Sequence, residues 1–327
     1  MSKKCLGCGA ILQNEDVNRD GYIQDLRKTR CERCFRIKNY GEYKSVVKDN
    51  SSFIEILDNI NHKDLVVLVI DLLNISEDFY SFVKRLKNPI LVALTKRDLL
   101  PKSINDEKLL NYLDNFNINY IDKIVISSNK NYNFDELYNK INMYKRSSNV
   151  YIVGYTNAGK STMINKLIYN YSDLDTEITT SMLPSTTLNS IEIKLNDELT
   201  IIDTPGIIED GNIVNYLDNK QLKLVVSKKE IKPVTLQIND KQTIVIEDIL
   251  KMVVENNNLT FFMSNNLMIK HFYKEISLDL PRQYVALVKS GEDIVISGLG
   301  FIKCTRNSKI IINTFDGVKI FTRKTLI

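Results

Sequence analysis

The chain has 327 residues, more than one ordinary domain holds, so we expect two domains and a small additional module. Hydrophobic residues make up 43% of the chain, enough for buried cores, and the formal net charge of +4 implies no large electrostatic field. Nucleic-acid binding would then depend on local basic clusters. Neither a long apolar run nor an apolar signal region occurs, so we expect no membrane partner. Cysteines in two close pairs fit metal binding in a reducing compartment, so we expect a cytoplasmic protein. We also expect a monomer.

Four of the five cysteines form two close pairs near the N-terminus. Each pair has the spacing C-x-x-C, and twenty-two residues separate the pairs, which are Cys5, Cys8, Cys31 and Cys34. Four thiolates at this spacing can close a tetrahedral Zn²⁺ site, and a short segment with few large apolar residues needs such a staple. The alternative is a set of redox or incidental cysteines. We predict a zinc-binding module over residues 1–42.

A basic cluster overlaps the second cysteine pair. Only one acidic residue, Glu32, accompanies its five basic residues, which are Lys28, Arg30, Arg33, Arg36 and Lys38. Phe35 and Tyr40 are interleaved, and such a patch suits phosphate contacts with base stacking. A plain solvated face fits the same residues equally well.

Three apolar runs follow, at residues 65–70, 89–94 and 124–126. Continuous apolar runs separated by helical stretches are typical of parallel strands covered on both faces. Polar residues follow each run, and the carboxyl ends of such strands form the ligand site of doubly wound sheets. We therefore expect the three polar ends to converge.

A phosphate-binding loop occupies residues 154–161, which read G-Y-T-N-A-G-K-S. It lies between a predicted strand at 149–153 and a segment with apolar residues at helical spacing, Met163, Ile164, Leu167 and Ile168. Lysine neutralises the outer phosphates and the serine hydroxyl suits Mg²⁺. We predict nucleotide contacts from Asn157, Ala158, Gly159, Lys160, Ser161 and Thr162.

The second run ends in T-K-R-D, a variant of the guanine-reading N-K-x-D motif. Asp98 can accept hydrogen bonds from N1–H and the exocyclic amine of guanine, and the Lys96 stem can lie across the base. Thr95 replaces the usual Asn, so we expect a looser contact to the purine or to the phosphate loop. Ser127 and Ser128, after the third run, resemble the S-A pair that reads guanine O6.

Two further motifs follow the phosphate loop. The segment P-S-T-T-L, at residues 184–188, contains Thr187, a candidate to cover Mg²⁺ in the triphosphate state, and D-T-P-G begins at Asp203. Asp203 would hold a Mg²⁺-bound water and Gly206 would give its N–H to the γ-phosphate. We predict Ser161, Thr187 and Asp203 as magnesium ligands, and the catalytic residues Lys160, Thr187, Gly206 and Asn157.

The order of these motifs is unusual, because an ordinary GTPase has its phosphate loop first and its guanine-reading motifs last. The sequence therefore predicts an α/β fold with a circularly permuted P-loop GTPase domain. Its motifs, together with C-L-G-C-G-A-x-L-Q, C-E-R-C-F-R, D-L-L-P-K-S and I-S-G-L-G-F, resemble the YqeH family of circularly permuted GTPases, which act in small-subunit assembly of the ribosome. The resemblance covers nearly the whole chain.

The resemblance implies GTP and GDP, Mg²⁺ and Zn²⁺ as ligands, and ribosomal RNA or a 30S precursor as partner. It also implies a permuted GTPase domain over residues 43–218 and a C-terminal β-rich domain, likened to RNA-binding folds, over 219–327. Departures from the family are Thr95, Asn39 where His is usual, and Ser185 in place of Gly. Ser185 would stiffen the first switch.

The C-terminal residues have short β-branched runs separated by glycines, which predicts antiparallel sheet. Between residues 282 and 327 eight basic residues meet three acidic ones, so we expect an RNA-facing or ribosome-facing domain, with a neutral packing module as the alternative. Cys304 lies in an apolar setting and is predicted to be buried.

The residue after D-T-P-G is Ile207, so the Gln that orients the attacking water in many GTPases is missing. We expect slow hydrolysis alone. Asn157 resembles the residue with which some GTPases hold K⁺, whose charge would replace an arginine finger. The second switch leads through residues 211–221 into the C-terminal domain, so nucleotide state can act on it directly. The alternatives are an ATP-dependent enzyme, or a zinc-containing RNA-binding protein whose nucleotide is structural.

Overall fold

The structure, a computed structural model, describes residues 3–5, 11–15, 21–32, 51–76, 82–116, 118–172 and 190–327. Its helices are α1 (Ser51–Asn59), α2 (Asp106–Tyr112), α3 (Phe134–Tyr144), α4 (Lys160–Tyr171) and α5 (Asn219–Val225). One sheet contains β1 (Leu65–Asp71), β2 (Ile90–Thr95), β3 (Asp122–Val125), β4 (Asn149–Gly154), β5 (Ile191–Asn196) and β6 (Leu199–Asp203). Short 3-10 turns lie at Leu72–Asn74, Arg97–Leu99, Leu113–Asn115 and Ile213–Asn215.

The first sheet has the strand order β3-β2-β1-β4-β6-β5. Neighbouring strands in this sheet are parallel, except that β5 runs antiparallel to β6. The predicted parallel strands are thus confirmed. Alternate residues of β1 enter separate cores on the two faces, because successive strand side chains point in opposite directions. Helices α1 and α2 contribute to one core, and α3 and α4 to the other.

The C-terminal strands form two five-stranded antiparallel sheets, as the sequence predicts. One has the order β16-β13-β14-β10-β7 and the other β11-β8-β9-β15-β12. The strands are β7 (Val234–Ile238), β8 (Gln242–Ile246), β9 (Leu250–Val254), β10 (Asn257–Met263), β11 (Ile269–Phe272), β12 (Arg282–Val288), β13 (Glu292–Ile296), β14 (Gly300–Cys304), β15 (Ser308–Thr314) and β16 (Ile320–Lys324). Cys304 is fully buried in their common core, which confirms that prediction.

One of the C-terminal sheets, the sheet that contains β10, β13, β14 and β16, packs directly against the first sheet. Phe262, Val295, Phe301 and Leu326 belong to the same buried core as alternate residues of β1 and β2. The Tyr112 hydroxyl donates to the Lys324 carbonyl across this junction at 2.8 Å. Movement of the C-terminal sheets relative to the first sheet would therefore expose apolar surface.

Arg323 lies in this junction and is only 8% exposed. Its Nη1 donates to the Ile75 carbonyl at 2.8 Å, and its Nε lies 3.6 Å from a carboxylate oxygen of Asp293, which is fully buried. Arg323 is one of the eight basic residues counted toward an RNA-facing surface. That part of the expectation is wrong, because a buried, ion-paired guanidinium is not available to a nucleic acid.

Among the described residues, no helix is both long enough and apolar enough to cross a lipid bilayer.

Candidate nucleotide-binding site

The carboxyl ends of the parallel strands bring the predicted motifs to one edge of the first sheet. Asp71 at the end of β1 is in register with Thr95 at the end of β2, and Val69 is in register with Gly154 on β4. On the other side of β4, Ile152 pairs with Asp203. The phosphate loop therefore lies between the T-K-R-D and D-T-P-G segments, although these are more than one hundred residues apart in the chain.

The phosphate loop leaves β4 and enters α4 through two left-handed residues, Asn157 with φ 63° and Gly159 with φ 97°. Such conformations turn successive N–H groups toward one concave surface, and the first N–H groups of a helix have no partner within it. Ser161 and Thr162 are exposed in the first turn of α4, and Ala158 is buried beneath the loop. The backbone of this loop is therefore arranged to bind an anion.

Two opposite charges lie beside the loop: Lys160, which is buried, and Asp203, which is half-buried. Burial lowers the pKa of Lys160, while the charge of Asp203 acts in the opposite direction. Burial also raises the pKa of Asp203 to about 6, opposed by the charge of Lys160. Among the described residues, the Asp203 Oδ1 atom is buried without a hydrogen-bond partner. A phosphate at Lys160 and a hydrated cation at Asp203 would satisfy both groups, so these residues fit Mg²⁺-nucleotide.

The D-T-P-G segment lies against the phosphate loop. A Cβ atom on Gly206 would come within 2.9 Å of both Lys160 Nζ and Thr156 Cγ2, so a larger residue here would require the Lys160 and Thr156 side chains to shift. Ile207, the next residue, is buried, and its backbone accepts from the Thr156 N–H at 2.8 Å and donates to the Gly154 carbonyl at 3.2 Å. The position after the motif thus offers an apolar side chain that faces the core.

Thr95 connects the base-reading motif to the phosphate loop. Its hydroxyl lies 2.6 Å from the Ala158 carbonyl and 3.2 Å from that of Ile70, and the residue is only 2% exposed. A hydroxyl donates one hydrogen, and the shorter distance favours Ala158. Thr95 therefore keeps a close contact with the phosphate loop, so the expected loosening is not seen there, and its contact with the purine stays a prediction.

The remaining base-reading residues have partners that the sequence analysis missed. Lys96, in the left-handed region with φ 64°, forms an ion pair of 2.8 Å with Asp71. Asp98 accepts from the Ser127 hydroxyl at 2.7 Å and from the Asn129 amide at 3.1 Å. The end of β1 indicated Asp71 only as a polar strand end. Asn129, two residues after Ser127, was likewise indicated only as part of a polar strand end.

Ser128 is half-buried in the same loop, and its carbonyl lies 3.5 Å from the Asn131 N–H. Thr187, Ser185 and the rest of P-S-T-T-L fall outside the described residues, so the geometry of the first switch stays a prediction.

Two of the four predicted zinc ligands are described. Cys5 and Cys31 are each 1% exposed and share a small core with Leu12 and Ile23. The Cys31 N–H donates to the Cys5 sulfur at 3.1 Å, an interaction that stabilises a thiolate. These two residues fit a metal-bound pair. Cys8 and Cys34 lie outside the described residues, as do Arg33, Arg36 and Lys38 of the basic cluster.

The segment after D-T-P-G reaches the C-terminal sheets within a few residues. The Lys319 N–H donates to the Gly211 carbonyl at 2.8 Å, and the Ile213 N–H donates to the Ser297 carbonyl at 2.8 Å. Between these contacts and the phosphate loop lies Glu209, which is 8% exposed. Its carboxylate accepts from the side-chain amides of Asn74 and Asn212, at 2.8 and 3.2 Å.

Comparison with known proteins identifies related GTPases. A family model described as 50S ribosome-binding GTPase matches residues 149–265. The uncharacterized protein YqeH of Bacillus subtilis is 33% identical over 361 aligned residues, which cover 99% of each chain. NO-associated protein 1 of Arabidopsis thaliana is 27% identical over 62% of this chain and 43% of its own length. GTPase Der of Karelsulcia muelleri is 26% identical over 75% of this chain and 60% of its own.

The chain thus spans nearly all of YqeH and less than two thirds of the other two relatives. A GTPase domain implies hydrolysis of GTP, with GTP, GDP and Mg²⁺ as ligands, which agrees with the opposite charges at Lys160 and Asp203. On its identity and coverage, the chain belongs to the YqeH family of GTPases.

Proposed function

We propose that this protein is a guanine-nucleotide switch that hydrolyses GTP during assembly of the small ribosomal subunit. The observation that carries the nucleotide assignment is the contact of 2.6 Å between the Thr95 hydroxyl and the Ala158 carbonyl, because it joins the base-reading motif to the phosphate loop. We also propose three units, over residues 1–42, 43–218 and 219–327. Helix α5, capped by Asp218, begins at the second boundary.

We further propose that the GTPase domain is circularly permuted. In this sheet β4 carries the phosphate loop, yet β1, β2 and β3 precede it in the chain and lie to one side of it, while β6 and β5 lie to the other. The matched family model begins at residue 149, the first residue of β4. A domain whose usual first strand is fourth in the chain accounts for both observations, since exposed termini tolerate permutation.

The roles at the site follow from charge and position. Lys160, with the N–H groups at the start of α4, would hold the phosphates, and Gly206 would donate its N–H to the γ-phosphate. Asp203, Ser161 and Thr187 would hold Mg²⁺, which neutralises charge on the phosphate oxygens when it is bound. The guanine would lie at Asp98 with Lys96 across its plane. The 2-amino group and N1–H of guanine match this carboxylate, and adenine lacks that pair of donors.

Slow intrinsic hydrolysis follows from Ile207, whose buried apolar side chain cannot orient water. Asn157 is exposed in the loop and offers a side-chain oxygen, so we propose that it holds K⁺ near the phosphates. The partner we propose is ribosomal RNA or a 30S precursor. We also propose that the protein is a monomer and acts in the cytoplasm. The description of the matched family model names the 50S particle, so the experiment below compares 30S with 50S particles to decide which subunit the protein acts on.

Turnover of GTP is expected to rise at least about tenfold when K⁺ replaces Na⁺, and further with 30S particles, because added positive charge stabilises the transition state. Excess ATP should not compete. The measurement is phosphate release in each salt, with and without 30S or 50S particles. Equal rates in all conditions would contradict the proposal. If Lys160→Ala abolishes nucleotide binding and leaves RNA binding and subunit assembly intact, the nucleotide is structural and the alternative function holds.

Thr95→Val is expected to weaken GDP binding by about threefold to tenfold, because it removes one buried hydrogen bond and keeps the side-chain shape. Thr95→Ser, which keeps the hydroxyl, is the matched control and should bind like the wild type. The measurement is titration calorimetry with GDP. A valine variant with unchanged affinity would show that the contact with Ala158 does not position the loop.

We propose that Cys5, Cys8, Cys31 and Cys34 hold one structural zinc ion. Support comes from the burial of Cys5 and Cys31 and from their hydrogen bond. Elemental analysis of the purified protein should find about one zinc per chain, and Cys31→Ser should lose it. Cys304→Ala changes a cysteine in the other core and should retain the metal. Zinc content that is unaffected by Cys31→Ser would refute the site.

Nucleotide state is proposed to act on the C-terminal sheets through the segment after D-T-P-G. In wild type, hydrogen exchange over residues 292–324 should differ between GDP and a GTP analogue, and Glu209→Ala should abolish the difference by removing the acceptor that Asn74 and Asn212 share. Asp210→Ala removes the neighbouring exposed carboxylate and should leave the difference in hydrogen exchange unchanged. Identical exchange in both nucleotide states of the wild type would rule out the coupling.

A further inference from the structure

The carboxylate of Asp98 is held from both sides by neutral donors. The Ser127 hydroxyl lies 2.7 Å from Oδ1, and the Asn129 side-chain amide lies 3.1 Å from Oδ2. Ser127 is 1% exposed, whereas Asn129 lies at the solvent-exposed side of the loop. The two donors therefore fix one oxygen from the interior and the other from the surface.

The loop that carries both donors is itself anchored. The Lys130 N–H donates to the Ser127 hydroxyl at 3.2 Å, and the Tyr132 N–H donates to the Ser127 carbonyl at 2.9 Å. The Arg97 N–H donates to the Ile126 carbonyl at 3.2 Å, which joins this loop to T-K-R-D. The position of Asn129 relative to Asp98 is thus set by backbone contacts of its neighbours.

The cations of T-K-R-D are engaged elsewhere. Lys96 pairs with Asp71, and Arg97 pairs with Asp106. Among the described residues, no cation forms an ion pair with Asp98. The side-chain donors that the structure shows at its carboxylate are the hydroxyl and the amide, and the carboxylate keeps its capacity to accept further hydrogen bonds.

Each carboxylate oxygen has two acceptor positions. With one protein donor on each oxygen, one position per oxygen remains, which matches the two parallel donors of guanine, N1–H and the 2-amino group. A carboxylate held at one oxygen only can rotate and still accept a single hydrogen bond, but it loses the paired geometry. The donor on Oδ2 therefore affects how strongly the site prefers purines that have both donors over purines that have only one.

We propose that Asn129 is a positioning residue for base selection, which holds Asp98 so that both of its oxygens face the base. The ligand class it favours is a purine nucleotide with both N1–H and a 2-amino group, over one that lacks the amine. This inference rests on the proposed placement of guanine at Asp98.

The test compares GDP with inosine diphosphate, which lacks the 2-amino group, and with ADP. Asn129→Ala should weaken GDP binding by about fivefold to tenfold and inosine diphosphate binding by less than about twofold, so the ratio of the two affinities falls. Asn129→Asp puts a second carboxylate beside Asp98 and should weaken GDP binding more, because like charges repel. Lys130→Ala, at the next exposed residue, should leave the ratio unchanged. Circular dichroism and thermal unfolding of each variant check that it is folded.

The outcomes separate the two proposals. If the wild type binds ADP as well as GDP, the placement of guanine at Asp98 fails. If the wild type prefers GDP over inosine diphosphate and Asn129→Ala keeps that preference, only the role of Asn129 fails. Equal losses for GDP and inosine diphosphate would assign Asn129 to loop structure and overturn the inference.

Discussion

The site is built around two opposite charges beside one loop, the buried Lys160 and the half-buried Asp203. Burial lowers the pKa of Lys160 and raises that of Asp203, so it favours the neutral form of each. In the part of the chain that the structure describes, the Asp203 Oδ1 atom has no hydrogen-bond partner. An arrangement of this kind is costly without a ligand and is stabilised by one that carries both anionic oxygens and a cation. The nucleotide with Mg²⁺ therefore completes the fold at this edge of the sheet, and its binding should stabilise the protein.

Thr95 shows how a departure from a motif can keep the physical role of the motif. A threonine side chain is shorter than that of asparagine, which predicts a looser contact. In the folded chain the hydroxyl still lies within hydrogen-bond distance of the Ala158 carbonyl, because β2 and β4, which are separated only by β1, end at the same edge of the sheet. A threonine hydroxyl at this position is therefore sufficient for the contact with the phosphate loop.

The strands and the phosphate loop were predictable because their signals are local: continuous apolar runs, a glycine-rich turn and helical spacing after it. The contacts of Asp71 with Lys96, Asn129 with Asp98, and Glu209 with Asn74 were not, because each joins residues 25 to 135 positions apart through polar side chains that carry no periodicity. Arg323 illustrates the same limit. Its charge counted toward a surface, and only the packing of Phe301 and Tyr112 around it shows that it is buried.

The short path from the nucleotide to the C-terminal sheets limits how the switch can move. The backbone of Ile207 is hydrogen-bonded to Gly154 and Thr156 in the phosphate loop, and the Gly211 carbonyl accepts a hydrogen bond from the Lys319 N–H on the C-terminal side. Only three residues separate these two attachments, and the middle one, Glu209, is itself held by two amides. The segment between Ile207 and Gly211 is therefore too short to absorb a shift of Gly206 toward a γ-phosphate. Under the proposed coupling, such a shift would either break one of these hydrogen bonds or displace the strand ends that they hold.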